Sequence, residues 1–438
     1  MHHGGGLKIF LDVTETVANG LQTGIQRTVR QISQHIIPLA AQRGIDVVPV
    51  VAHQGRYYAC TALHRLYQPQ RQTGASTAPA AAFKAFIKNR LRRFPRLLAW
   101  AQGIYFYARR SRLDPGQHEA IRSEPGDRLL LLDSCWGGGG SDRAAQYMFE
   151  HGCAITLVVY DIIPLTHPQY YDATLVRNFR QTLEKLLNIS SSVFAISQFV
   201  AESLRQWIHQ VQAPQPEGVR LDYFHLGGDF DQHSTTPEAA STAWPAGLWQ
   251  DGSRVFLMLG TIEPRKGHDF VLREFERRWA EGSQDKLLWI GKVGWQVEAL
   301  MQQVHASRHL HQQLWPMQGL SDAMVNDAIH RCTAIIFASQ VEGFGLPLVE
   351  ALQRGTPVLA HDIPVFREIA ASVPVYFRSE EDGSLQRALQ ELAEHETEVR
   401  ARTRAFQWLT WRDAAAVLLD KMLEQQPGQA PKRPTPTS

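Results

Sequence analysis

The chain has 438 residues, 44% of them hydrophobic, which is enough for two domains with separate cores. A net charge of +2 and four cysteines (Cys60, Cys135, Cys153, Cys332) without metal-like or redox-like spacing argue against a disulfide framework and a zinc module, and fit a reducing cytoplasm. No apolar run reaches the roughly 18–20 residues of a membrane span, no signal peptide is visible, and no nucleic-acid motif is present.

In chain order, the opening Met1–Gly6 is set aside, and Leu7–Asp12 reads as a short strand followed by a loop at Gly20–Gly24. Ile25, Val29, Ile32, Ile36 and Leu39 then step by 4, 3, 4 and 3, the spacing of an amphipathic helix. Ile45–Val51 is the next strand. From Val47 to Leu113 there are twelve Lys and Arg and no Asp or Glu. Within 80–113, cations mix with Phe83, Phe86, Trp100, Tyr105 and Phe106, a composition that suits an anionic membrane surface or a solvated insertion packed on the first domain. Strands follow at Arg128–Asp133, Ala154–Asp161, Ser192–Ser197 and Arg220–Leu226, and Gly227–Pro245 reads as an inter-domain linker. Asp161 ends an apolar strand; a buried carboxylate there would be costly, so it belongs at a strand tip facing a cleft. Gly24 at a helix start serves either the turn alone or a close backbone approach to a ligand. Arg27 lies one turn further on, facing cleft or solvent. His167 is a loop residue, and Ser197 caps the helix that follows it.

The second half has strands near Val255, Leu287, Ala334, Val358 and Val375, alternating with helices, as in a parallel α/β sheet. Two loops stand out. Thr261-Ile-Glu-Pro-Arg-Lys-Gly-His268 follows the strand at Val255 and puts Arg265 and Lys266 side by side at a strand's carboxyl end, a forked donor and a mobile point charge suited to a diphosphate. Gln340-Val-Glu-Gly-Phe-Gly-Leu-Pro-Leu-Val-Glu350 follows the strand at Ala334 and runs into an apolar helix, with Glu342 and Glu350 eight residues apart. The backbone N–H groups of Gly343, Phe344, Gly345 and Leu346 at that helix start suit phosphate, and Pro347 fits its first turn. The two carboxylates repel phosphate and make sense when aimed at hydroxyls beside it. Gly291-Lys-Val-Gly-Trp295 ends another strand, with Trp295 as a packing residue. The roles of His361 and Asp362 stay open.

With these residues the chain resembles the large retaining glycosyltransferase family of GT-B fold (glycosyltransferase family 4-like), which includes bacterial mannosyl- and rhamnosyltransferases of surface-polysaccharide synthesis. The segments "GTIEPRKG" and "EGFGLPLVEAL…GTPVLAHDIPVFREI" carry the resemblance, and Glu342 and Glu350 match its Glu-x7-Glu pattern. The resemblance implies two Rossmann-like domains facing each other across a cleft: an acceptor-side domain at 1–235 with a basic insertion at 80–113, and a nucleotide-sugar domain at 246–411. A last helix at 412–424 returns to the first domain, and a disordered tail fills 425–438. It implies Glu342, Arg265, Lys266 and Asp161 as catalytic residues, and Gly24, Glu350, Gly343, Phe344, Gly345, Leu346 and Lys292 as donor-binding residues. Many members carry His-Asp where this chain has Tyr160-Asp161. The expected activity is transfer of mannose from GDP-mannose, without a metal cofactor, to a lipid-linked or oligosaccharide acceptor in O-antigen or exopolysaccharide synthesis, on the cytoplasmic face of a bacterial inner membrane. A dTDP-rhamnose or UDP-sugar donor, a glycoside hydrolase using Glu342 and Glu350, and a non-catalytic nucleotide- or membrane-binding module are the competing readings.

Overall fold

The computed structural model describes residues 6–19, 23–61, 66, 119–135, 140–211, 219–229, 244–249 and 251–424. The basic insertion 80–113, the middle of the expected linker and the tail 425–438 lie outside them.

Two sheets form two lobes. The first contains β1 (Lys8–Asp12), β2 (Asp46–His53), β3 (Arg56–Ala59), β4 (Arg128–Leu131), β5 (Ala154–Val159), β6 (Ser190–Ala195) and β7 (Arg220–Tyr223), in the order β3-β2-β1-β4-β5-β6-β7. All pairings are parallel except the β2–β3 hairpin. The second sheet, wholly parallel, contains β8 (Val255–Leu259), β9 (Lys286–Ile290), β10 (Leu314–Met317), β11 (Ala334–Phe337), β12 (Val358–His361) and β13 (Val375–Phe377), in the order β10-β9-β8-β11-β12-β13. Strands β4, β9 and β11 are buried along their whole length; β11 is a continuous apolar run, and β4 and β9 open with the buried cations Arg128 and Lys286 before theirs. In both sheets the chain leaves neighbouring central strands, β1 and β4 or β8 and β11, toward opposite sides. The crevice at such a switch point is where open α/β sheets bind ligands.

Three features depart from the sequence reading. A short helix, Thr14–Asn19, follows β1 before the amphipathic helix Gly24–Ala41 begins. The β2–β3 hairpin turns on Gln54 and Gly55, both at positive φ, and glutamine is not a usual turn residue. β10 contains Pro316, which is tolerated because β10 is an edge strand.

The last described helix, Trp411–Leu423, starts with a capping box between Thr410 and Asp413. Its Ala414, Leu418, Leu419 and Met422 are buried in the same apolar cluster as Val29, Ile32 and Ile36 of the helix Gly24–Ala41. Each buried Leu, Ile, Val or Met among them contributes roughly 1.5–3 kcal/mol relative to exposure. Lys421 and Glu424 add ion pairs to Asp222 and Arg220 of β7 at 2.7 and 2.8 Å, so the chain ends its described course on the first lobe. The start of the expected linker is not free: a Cβ on Gly227 would lie 2.3 Å from the Trp411 nitrogen, and one on Gly228 2.4 Å from Val349.

Candidate active site

The loop after β8 carries a 3-10 turn, Pro264–Lys266, closed by Gly267 at φ 69° against the carbonyl of Ala338 after β11. This contact sets the two loops beside each other at the switch point. The Gln340 N–H donates to the Arg265 carbonyl at 2.7 Å, and the Arg265 guanidinium donates to the Val341 carbonyl at 3.1 Å and to Glu342 at 2.9 Å. Lys266 Nζ bonds the other Glu342 oxygen, and Glu263 holds the far side of Arg265 at 2.7 Å. Burial pushes the Glu342 carboxyl up, but the charges of Lys266 and Arg265 outweigh it and hold the pKa at about 2. Glu342 is therefore an anion throughout the physiological range. It can accept hydrogen bonds from hydroxyls and cannot donate a proton. Glu263 is shifted the other way, raised by burial against the pull of Arg265 and Lys266.

Gly345, at φ 110°, caps the helix Leu346–Gln353, and a Cβ there would lie 2.9 Å from Phe366. Glu350 sits one turn along and is bonded by Arg27 from the first lobe. A Cβ built on the exposed Gly24 would meet only Leu346, at 4.0 Å, so Gly24 and the helix N-terminus face each other across the cleft. Phe344 is buried against His225 and Trp408, so this residue can offer the cleft only backbone.

Asp161 follows β5, half-buried, with its carboxylate accepting the Ile163 N–H at 3.0 Å. Burial raises its pKa, the nearby Arg265 and Lys266 lower it, and Glu342 raises it. All four expected catalytic residues thus meet, three from one lobe and Asp161 from the other. A Cβ on Gly343 would lie 2.2 Å from the Tyr160 carbonyl and 3.0 Å from Asp161 Cβ, so only glycine allows this approach. The Tyr160 side chain points inward, its hydroxyl donating to the Leu132 carbonyl at 2.7 Å, so Tyr160 offers the cleft only its backbone. Ser197 caps its helix through Val200 N–H at 3.2 Å and also donates to the Gly343 carbonyl at 2.7 Å.

Lys292 is exposed, and its carbonyl accepts the Ile262 N–H at 2.9 Å; its segment contributes backbone that extends the sheet beyond β8 and β9. His167 stacks on Tyr170, away from Glu342's hydrogen-bond web. His361 bonds the Ser339 carbonyl at 3.0 Å and so braces the loop carrying Glu342, while Asp362 pairs with Arg367 and Arg378. Sequence reasoning passed over Glu263, although it lies two residues before Arg265, and Glu368. The Glu368 carboxylate accepts the N–H groups of Gln198 and Phe199 at 2.7 and 2.8 Å and bonds His225 at 2.7 Å, all on the other lobe.

Residues 244–407 match the family of glycosyl transferases group 1. The chain carries a group 1 glycosyl transferase domain. The match takes in Arg265, Lys266, Glu342 and Glu350. The serotype-specific mannosyltransferase WbdA of Escherichia coli is 36% identical over 276 residues, covering 62% of this chain and 34% of that protein. The chain thus spans about a third of the length of this relative. The O-antigen chain mannosyltransferase RfbU of Salmonella typhimurium is 23% identical over 239 residues, covering 54% of this chain and 60% of RfbU. Among solved structures, Anabaena HepE in complex with UDP superposes with a TM-score of 0.56 at 15% identity, over 96% of this chain and all of that one. The group 1 domain is thus the second of two Rossmann-like lobes in a GT-B fold.

Proposed function

We propose that the protein is a retaining glycosyltransferase that moves mannose from GDP-mannose to a lipid-linked or oligosaccharide acceptor in surface-polysaccharide synthesis. The observation that carries this reading is the meeting of Arg265, Lys266 and Glu342 at one switch point with Asp161 of the opposite lobe. Arg265 and Lys266 meet the charge that grows on the departing nucleoside diphosphate as the bond from the sugar C1 to phosphate breaks, the kind of electrostatic term that dominates such catalysis. They do so without a metal in this reading. Glu342 accepts hydroxyls of the donor sugar and Glu350 those of the ribose, in exchange for Arg27. The acceptor hydroxyl, oriented by Asp161, attacks C1 from the face the diphosphate leaves, and its proton passes to a phosphate oxygen. Closure of the lobes keeps water out. WbdA and RfbU, both named as mannosyltransferases, favour mannose; HepE, solved with UDP, keeps a UDP-sugar as the alternative donor, with dTDP-rhamnose beside it.

The test is thermal unfolding with GDP, UDP, dTDP or ADP, each without added metal. A saturating ligand of the native state alone adds about 2.7 kcal/mol at 100 times its Kd. GDP is expected to raise the midpoint by several degrees in the wild type and not in Lys266→Ala. No shift with any diphosphate would overturn the transferase reading in favour of a non-catalytic module.

No helix among the described residues is long and apolar enough to cross a membrane. The acid-free stretch 47–113, rich in Arg, Lys and aromatics, supports peripheral docking on an anionic inner-membrane surface. Liposome co-sedimentation that ignores anionic lipid content would remove this claim.

A further inference from the structure

A cavity of about 430 Å³ adjoins the catalytic loop. It shares Glu263, Pro264 and Gly267 with the turn carrying Arg265 and Lys266, and its wall includes Tyr170 of the first lobe. From this cavity we infer that the protein has a docking site for a neutral oligosaccharide, the acceptor chain, beside the transfer site. The inference rests on the transferase reading above.

Three observations support it. The volume falls in the usual range for ligand pockets, 300–1,000 Å³. The wall is polar but electrically spent: Glu263 is paired with Arg265 at 2.7 Å, and Asp269 with Arg273 at 3.0 Å. An anion would find no unpaired cation among these, whereas hydroxyls find carboxylate and amide acceptors in Glu263, Asp269 and Gln296. Tyr170, stacked on His167 at 8° between ring planes, presents the kind of aromatic wall on which the apolar face of a sugar ring packs.

The lip is built for purpose rather than left over. Gly294 packs against the loop after β8 so closely that a Cβ would lie 2.7 Å from the Ile262 carbonyl. Next to it, Trp295 donates its indole N–H to the Tyr170 carbonyl across the lobes at 2.7 Å. Gln296 then adopts φ 55°, a left-handed conformation that a non-glycine residue holds only when its surroundings impose it. Both lobes thus contribute to one pocket, and a chain seated there would favour the closed state.

The test titrates α-linked manno-oligosaccharides of two to four units into the full chain saturated with GDP, for wild type, Gln296→Ala and Tyr170→Ala, with the GDP-induced thermal shift measured on each. Saccharide affinity is expected to fall roughly 5- to 10-fold in each variant, with the GDP shift retained. A wild type that shifts with GDP but binds no saccharide, or variants that bind it as well as wild type, would overturn the site and leave the transferase reading standing. Absence of a shift with any of GDP, UDP, dTDP and ADP in the wild type would overturn both.

Discussion

Carboxylates in this protein differ by what surrounds them. Glu342 lies between Lys266 and Arg265 and is held near 2, so it serves as a fixed acceptor. Asp161, with burial opposing the same cations, is raised, and it serves to orient a hydroxyl by hydrogen bond. Asp133, just beyond β4, has the Arg30 guanidinium near it, but burial prevails. Burial and the nearby Asp12 charge push it up to about 7, although it accepts the N–H groups of Thr16 and Ser134. A raised carboxyl contributes stability that is fully present below its unfolded pKa of 3.8 and is lost as pH rises through about 7. We therefore expect Asp133→Asn to gain stability relative to wild type, on the order of a few kcal/mol, between pH 5 and pH 8. Urea unfolding of both proteins at the two pH values measures it; a difference between them that does not change with pH would exclude the shift.

At the scale of elements, the site is a product of two loops that glycines allow to touch. Gly267 meets Ala338, Gly345 meets Phe366, and Gly343 meets the backbone of Tyr160. The first two act within one lobe and shape the loops; Gly343 acts between lobes. Its substitution should therefore spare folding and block closure. Gly343→Ala is expected to keep a near-wild-type unfolding midpoint while transfer falls about 100-fold, since a displacement of about 1 Å at the reacting centre costs that much. Unchanged transfer in this variant would mean that the lobes work without the observed approach. The same contrast explains what the sequence disclosed. The buried strands and the helix Gly24–Ala41 were legible because apolar runs and a 3.6-residue period write themselves locally, and Arg265-Lys266 and Glu342 were legible because each stands in a loop directly after a buried strand. β3 and β10 were not, since a glutamine at a tight turn and a proline in an edge strand contradict local rules that their surroundings override. Tyr160 could not be read as inward-facing, because its partner is the Leu132 carbonyl just beyond the neighbouring strand β4.

At the scale of the whole molecule, closure depends on a few polar contacts from distant parts of the chain: Arg27 to Glu350, Ser197 to Gly343, Trp295 to Tyr170, and Glu368 to Gln198, Phe199 and His225. The Glu368 contact is the one set apart from the proposed chemistry. Its carboxylate takes two N–H groups at the start of the helix Gln198–Val211, where free donors and the positive dipole end favour an anion. Burial raises its pKa, but His225 and the two N–H groups outweigh this and lower it. A lowered carboxyl contributes above its unfolded pKa of 4.5 and loses that contribution only as pH falls through the lower folded value, so the contact holds at neutral pH. Glu368→Gln keeps the size, removes the charge and turns an amide N–H₂ toward one of the backbone donors. Losing charge-assisted bonds worth roughly 1.5–3 kcal/mol shifts an open–closed equilibrium at least about tenfold. The variant should transfer sugar about tenfold more slowly at neutral pH and show a larger radius of gyration in solution scattering with GDP bound. Each lobe should unfold as in wild type, because the contact lies between them. If rate and scattering both match wild type, Glu368 is a helix cap and the lobes close through the cleft contacts alone.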